Sequence, residues 1–127
     1  MAEIIEDHVE SIQLRHRTLE LQEELKRWIE VLKNEYDPEK IILFGSFING
    51  KIKRWSDIDL VIIKETGNPF LDRIKEVILL LRPKVGIDVL VYTPSEFENL
   101  CATRTFFKNE ICLKGRTVYE RGGSKLG

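Results

Sequence analysis

From residue 2 to residue 36 the chain contains neither glycine nor proline. Apolar residues recur there at helical spacing: Ile5, Val9 and Ile12, then Leu21, Leu25, Trp28, Ile29 and Leu32. This periodicity predicts one long helix, or two helices broken near residues 16–18. Asp37-Pro38-Glu39-Lys40 reads as a turn. The pattern then changes to short apolar runs. Ile41-Ile42-Leu43-Phe44 stops at Gly45, which predicts a buried strand ending in a tight turn, with Ser46 capping a short helix. Residues 50–55 form a polar, basic loop, and residues 57–63 predict a second strand. A helix is expected over residues 69–82, ended by Pro83, and a third strand over residues 85–92. Thr93-Pro94-Ser95-Glu96 carries a capping-box signature with proline in the first turn, which starts a helix expected to reach about residue 108. A last short strand, residues 116–119, follows Gly115, and the tail from Gly122 has the character of disorder.

The second strand is unusual. In Ser56-Asp57-Ile58-Asp59-Leu60-Val61-Ile62-Ile63, two carboxylates stand two residues apart. Residues i and i+2 of a strand share a face, so Asp57 and Asp59 project side by side while Ile58, Leu60 and Ile62 enter the core. Aspartate is disfavoured in strands, and adjacent carboxylates repel unless a cation neutralises them. Hard divalent ions, Mg²⁺ above all, do this. The third strand repeats the oddity: Val85-Gly86-Ile87-Asp88-Val89-Leu90-Val91 is apolar except for Asp88 and the small Gly86. With the two strands adjacent, Asp88 completes a set of three carboxylates, the number a two-metal phosphoryl-transfer site needs. Upstream, Gly45 allows close backbone approach to a ligand, Ser46 offers a hydroxyl, and the helix start offers N–H groups for phosphate.

Gly45-Ser46, ten residues, then Asp57-Ile58-Asp59 resembles the signature of the polymerase-β-like nucleotidyltransferase superfamily. The wording Gly45-Ser46-Phe47, then Gly50, then Ser56-Asp57-Ile58-Asp59-Leu60 is similar to its minimal nucleotidyltransferases. The similarity extends through Thr93-Pro94-Ser95-Glu96-Phe97 and Lys114-Gly115-Arg116-Thr117-Val118-Tyr119-Glu120. The resemblance implies an α+β, two-layer fold: a mixed sheet with helices mainly on one face, here with a helical extension over residues 1–23, the nucleotidyltransferase domain over 24–121 and a disordered tail over 122–127. It implies that Gly45 and Ser46 bind the triphosphate of an NTP, ATP by preference. Asp57 and Asp59 hold two Mg²⁺ ions, or Mn²⁺, and Asp88 holds the catalytic one and helps deprotonate the acceptor. It also implies a HEPN-domain helical protein as partner, in a toxin–antitoxin pair where AMP is transferred to the partner's tyrosine. Two other readings stand beside it: an antitoxin that neutralises its partner by contact alone, and a small-molecule nucleotidyltransferase whose acceptor site a partner subunit supplies.

One departure from the family pattern bears on this. Many relatives carry Arg or Lys between the serine and the second glycine, where this chain has Phe47, Ile48 and Asn49. Lys51, Lys53 and Arg54 are the nearby cations. Net charge is −1, which removes bulk electrostatic attraction to nucleic acid, and direct nucleic-acid binding is not expected. The charge is uneven: residues 1–40 carry 6 Lys/Arg against 11 Asp/Glu, and residues 41–127 carry 14 against 10. The basic second half suits a polyanionic substrate. Cys101 and Cys112 lack metal-pair or disulfide-framework spacing and read as reduced core thiols. No basic, apolar leader opens the chain and no apolar run is long enough to span a bilayer, so a cytoplasmic protein without membrane association is expected. His8 and His16 read as surface residues and Trp28 as core. Ile5, Val9 and Ile12 form a stripe with two open destinations: another chain, including a second copy in a homo-oligomer, or the protein's own core.

Overall fold

The computed structural model describes the backbone of residues 2–122 and the side chains of residues 9–122. The expected tail beyond Gly122 lies outside the described residues. The element order is α1 (Ala2–Glu35), β1 (Lys40–Phe44), α2 (Ser46–Asn49), β2 (Ile58–Ile63), α3 (Phe70–Leu81), β3 (Ile87–Tyr92), α4 (Pro94–Thr103), a π-helical segment (Phe107–Leu113) and β4 (Arg116–Glu120). The four strands form one mixed sheet in the order β3-β2-β1-β4. β1 is antiparallel to both β2 and β4. β2 and β3 run parallel, joined by the α3 crossover that parallel strands require.

Alternation along the strands builds a different core on each face. Ile41 and Leu43, Ile58, Leu60 and Ile62, and Val89 and Val91 bury on one face against Leu21, Trp28 and Leu32 of α1 and Val77 and Leu81 of α3. Ile42, Val61 and Ile63 point to the other face, where Ile111 of the π-helical segment and the partly buried Phe97 and Phe107 cover them. That second cover is short. It reaches Val61 and Ile63 but leaves the start of β2 and β3 open, which is where the aspartates stand.

Two interior polar side chains hold the helices in place. Glu24 accepts hydrogen bonds from the Arg27 guanidinium, from Trp28 Nε1 at 3.1 Å and from the Lys84 backbone N–H at 2.8 Å, tying α1 to the α3–β3 turn. Arg73 donates to the carbonyls of Asn68 and Val91 and to Glu96 Oε1 at 2.7 Å, tying α3 to β3 and the start of α4. Both are buried, and both are saturated with partners.

Of the two expectations for residues 2–36 the single long helix is the one found: α1 is continuous through residues 16–18, and Thr18 Oγ1 donates within the helix to the Leu14 carbonyl. Other local expectations change. The helix after β3 is shorter than expected: α4 ends at Thr103 because Arg104 is extended, and a helical segment resumes beyond it. The Thr93–Glu96 capping box is present with both of its hydrogen bonds. Cys101 and Cys112 are not reduced core thiols but a disulfide. The turn at Arg104 folds the π-helical segment back against α4, bringing residues 11 apart to a Cα–Cα separation of 6.4 Å, within bridging range. Cys112 is exposed. Trp28 is fully buried and His16 exposed, as expected. The side chain of His8 lies outside the described residues. Among the described residues no helix is long and apolar enough to cross a membrane.

Candidate active site

The parallel register of β2 and β3 sets Asp59 directly beside Asp88, and Asp57 precedes β2 on the same side. The three carboxylates that the sequence singles out are therefore neighbours at the uncovered end of the sheet's second face. Asp57 and Asp88 are exposed and Asp59 is half-buried. Burial first, then repulsion from Asp88 with a hydrogen bond to it, and then Asp57, push the Asp59 carboxyl up from 3.8 to about 6. Like charges gathered in a half-dry site resist ionisation.

Two glycines make room for this cluster. A Cβ on Gly45 would stand 2.0 Å from Asp59 Oδ2, and one on Gly86 would stand 1.9 Å from Asp57 Oδ1. Gly45 also adopts φ 82°, ψ −152°, a conformation essentially restricted to glycine. The space that Gly45 vacates is filled by the Asp59 carboxylate. The sequence marks Gly86 only as a small residue in an apolar strand, without a role at the site. Its signal was its position two residues before Asp88, but only the parallel register shows that it faces Asp57.

Ser46 does not cap α2 as expected. It is the first residue of α2 and not its cap; Gly45 occupies the cap position and no side chain caps the helix. At four residues α2 has little macrodipole to offer a phosphate. What it offers is a tight turn, with the Ile48 and Asn49 N–H groups closing on the Gly45 carbonyl, and the Ser46 hydroxyl. Ser46 Oγ lies 3.4 Å from Ser56 Oγ, and Ser56 Oγ accepts from the Lys53 N–H at 2.8 Å. Ser56, buried next to Asp57, thus links the Gly-Ser turn to the aspartate strand.

Phe47 and Ile48, where many relatives carry a cation, pack against the core. Arg54 turns to Gln13 on α1 and Lys53 lies over the Trp55 ring. A cation reaches the Ser56 corner instead from α1: Arg17 Nη2 donates to the Ser56 carbonyl at 2.9 Å. No sequence signal marked Arg17, since 39 residues separate it from Ser56.

Among the described residues no three carboxylate, imidazole or thiolate side chains close into a ready-made metal cage. The aspartates form an open cluster, which suits Mg²⁺: it keeps several waters and takes one or two carboxylates together with substrate phosphates. The raised Asp59 carboxyl is the cost such an ion would relieve, so the donor set fits a divalent cation. A cleft of about 600 Å³ lies elsewhere, beside Lys40, Ile63, Phe97 and the disulfide. Lys40 and Ile63 pair at the opposite end of the β1–β2 ladder from Phe44 and Asp59, so this cleft is separate from the three aspartates.

Comparison with known proteins agrees with this geometry. Residues 23–123 match the family model "Polymerase beta, Nucleotidyltransferase". A Methanocaldococcus jannaschii protein named "Putative protein adenylyltransferase" is 31% identical over 81 residues, 63% of this chain and 81% of that protein. The crystal structure of a "putative nucleotidyltransferase" from Sulfolobus solfataricus superposes with a TM-score of 0.62 at 17% identity, covering 86% of this chain and 88% of that one. The chain therefore belongs to the polymerase-β-type nucleotidyltransferase family.

Proposed function

We propose that the protein transfers a nucleoside monophosphate, AMP from ATP, to a protein acceptor, and acts as the antitoxin of a HEPN-domain helical partner. The observation that carries the chemistry is the convergence of Asp57, Asp59 and Asp88 beside the Gly45-Ser46 turn, with Gly45 and Gly86 clearing their space. The protein acceptor is supported by the name of the Methanocaldococcus relative.

In this reading the Gly45-Ser46 turn binds the triphosphate through the Ser46 hydroxyl and the Ser46 and Phe47 N–H groups, and Ser56 keeps that turn in register with Asp57. Asp57, Asp59 and Asp88 hold two Mg²⁺ ions, for which Mn²⁺ substitutes. When bound, the ions neutralise charge on the triphosphate and on the attacking and leaving oxygens. Asp88, exposed at the edge of the cluster, takes the acceptor's hydroxyl proton. The acceptor oxygen forms a bond to the α-phosphorus, the bond from that phosphorus to the bridging oxygen breaks, and pyrophosphate leaves. Positioning and charge supply most of the rate, as phosphoryl transfer requires.

The packing of Phe47 and Ile48 into the core, which withholds a cation from α2, favours a second reading in which the protein neutralises its partner by contact. One experiment separates the two. The protein is incubated with α-labelled ATP, Mg²⁺ and the candidate HEPN partner, and intact masses are read. Transfer of one AMP to the partner, lost in Asp57→Asn and Asp88→Asn, is the expected result. A partner that is silenced without gaining AMP establishes the contact reading instead.

A further inference from the structure

The first half of α1 carries an apolar stripe whose described members the fold leaves exposed. The residues Ile5, Val9, Ile12, His16 and Leu19 follow one another at spacings of four, three, four and three, the a/d repeat of a coiled-coil seam. Every described member is exposed: Val9 45%, Ile12 46% and Leu19 55%, with His16 exposed as well. At 100° per residue the stripe points roughly 160° away from the row Leu21, Trp28 and Leu32 that enters the core. Leu14, on the core side of the helix, instead faces the 51–56 loop beside Ile52 and Trp55.

The stripe stops abruptly. Continued in the same register it becomes Glu23, Lys26, Glu30 and Lys33, all exposed. That charged row is what a helix packed on one side shows to water. Four apolar residues in the preceding two heptads have no such reason to be there, and a heptad repeat is the spacing at which one helix meets another.

We propose that this stripe is a self-association surface: two copies of the chain pair their α1 helices in parallel over residues 5–19, about 21 Å of helix. The flanking charges select both the occupant and the direction. In the repeat, Arg15 takes a g position and Glu20 the e position five residues on, so a parallel pair sets Arg15 of each copy beside Glu20 of the other. Glu20 is 57% exposed at its side chain and among the described residues makes one ion pair, a 3.5 Å contact to Arg17 of its own chain. Gln13, the e position one heptad earlier, is uncharged, so no like charges meet between residues 9 and 20, and the pairing ends before Glu23 would meet its own copy. The antiparallel register that aligns Ile12 with His16 would instead oppose Arg15 to Arg15 and Glu6 to Glu20. Because the seam lies opposite the core face, the two domains fall on the outside of the pair.

Two heptads with a histidine in one layer make a weak seam, with dissociation expected at about 10–300 µM. The test is sedimentation equilibrium of the full chain from micromolar to millimolar concentration, with circular dichroism to confirm the fold of each variant. All substitutions are at solvent-exposed sites. The wild-type mass should rise toward that of a dimer with concentration. Ile12→Asp should weaken association on the order of 100-fold, by placing a charge in each copy's seam. His16→Ile should tighten it by about tenfold, by completing the apolar layer. Arg15→Glu should weaken it, and Arg15→Glu with Glu20→Arg should restore it. A wild type and a His16→Ile variant that both stay monomeric at millimolar concentration overturn the proposal, as does an Ile12→Asp protein that pairs like wild type. A double charge reversal that fails to restore pairing overturns the parallel register.

Discussion

Asp59 offers the sharpest test of how the carboxylate cluster is built. Its rise from 3.8 to about 6 corresponds to about 3 kcal/mol at 1.36 kcal/mol per pH unit. The side chain is only half-buried, so solvent screening reduces this to about 1–2 kcal/mol. The sign follows from proton binding. Below pH 3.8 the carboxyl is protonated in both folded and unfolded chains. Between 3.8 and 6 the folded chain keeps a proton that the unfolded chain has lost, so stability falls as pH rises through this window. Above 6 the deficit is complete. Asp59→Asn removes the charge while keeping size and hydrogen-bonding capacity. Without metal, the variant should therefore melt about 4–8 °C higher than wild type near pH 7.5, and this gain should shrink towards zero near pH 4. Thermal unfolding followed by circular dichroism in a chelator measures both values. Adding Mg²⁺ with ATP should then raise the wild-type melting temperature and leave the variant unmoved, because ligand stabilisation acts only where the ligand binds. A variant no more stable than wild type at pH 7.5, or equally stabilised at both pH values, refutes the electrostatic reasoning. A variant that keeps the full Mg²⁺–ATP shift removes Asp59 from the binding site.

Three further outcomes follow from named contacts. Gly86→Ala should cost under about 1 kcal/mol of stability, because the new Cβ meets only the tip of Asp57, yet it should abolish most of the Mg²⁺–ATP melting shift; an unchanged shift would dissociate Asp57 from the cluster. Arg73→Leu should destabilise by about 2–4 kcal/mol, since it strips a partner from the buried Val91 carbonyl, from the Asn68 carbonyl and from Glu96, as read from urea unfolding midpoints. Glu24, held by Arg27 first and also by Lys84 and Trp28, sits at about 2 rather than 4.5. Its roughly 2 kcal/mol contribution is present above pH 4.5 and lost as pH falls to 2, so Glu24→Gln should flatten the acid limb of the stability curve, and an acid limb identical to wild type would contradict this role.

Much of the architecture is legible in local patterns, because local patterns answer to local physics. The period-two alternation of residues 57–63 places Ile58, Leu60 and Ile62 in the core and leaves Asp57 and Asp59 to the other face, whatever lies beside the strand. Thr93, Pro94 and Glu96 start a helix because the capping hydrogen bonds close within four residues. Trp28 is recognisable as core from its spacing to Leu32 and Leu25. Tertiary structure decided what depends on which distant segments meet. Asp88 is a neighbour of Asp59 only because α3 returns the chain parallel to β2, and the same register turns Gly86 from a weak strand residue into the space that Asp57 occupies. Gly45 was visible as a special turn, but that it houses a carboxylate was not. Arg17 reaches Ser56 across 39 residues and Glu24 reaches Lys84 across 60, separations at which no spacing rule operates. The disulfide between Cys101 and Cys112 required a helix break at Arg104 that helical propensity does not foresee. Short-range hydrogen bonding and burial periodicity are written in adjacent residues; the convergence of charges and their partners is a property of the assembled sheet and its packed helices.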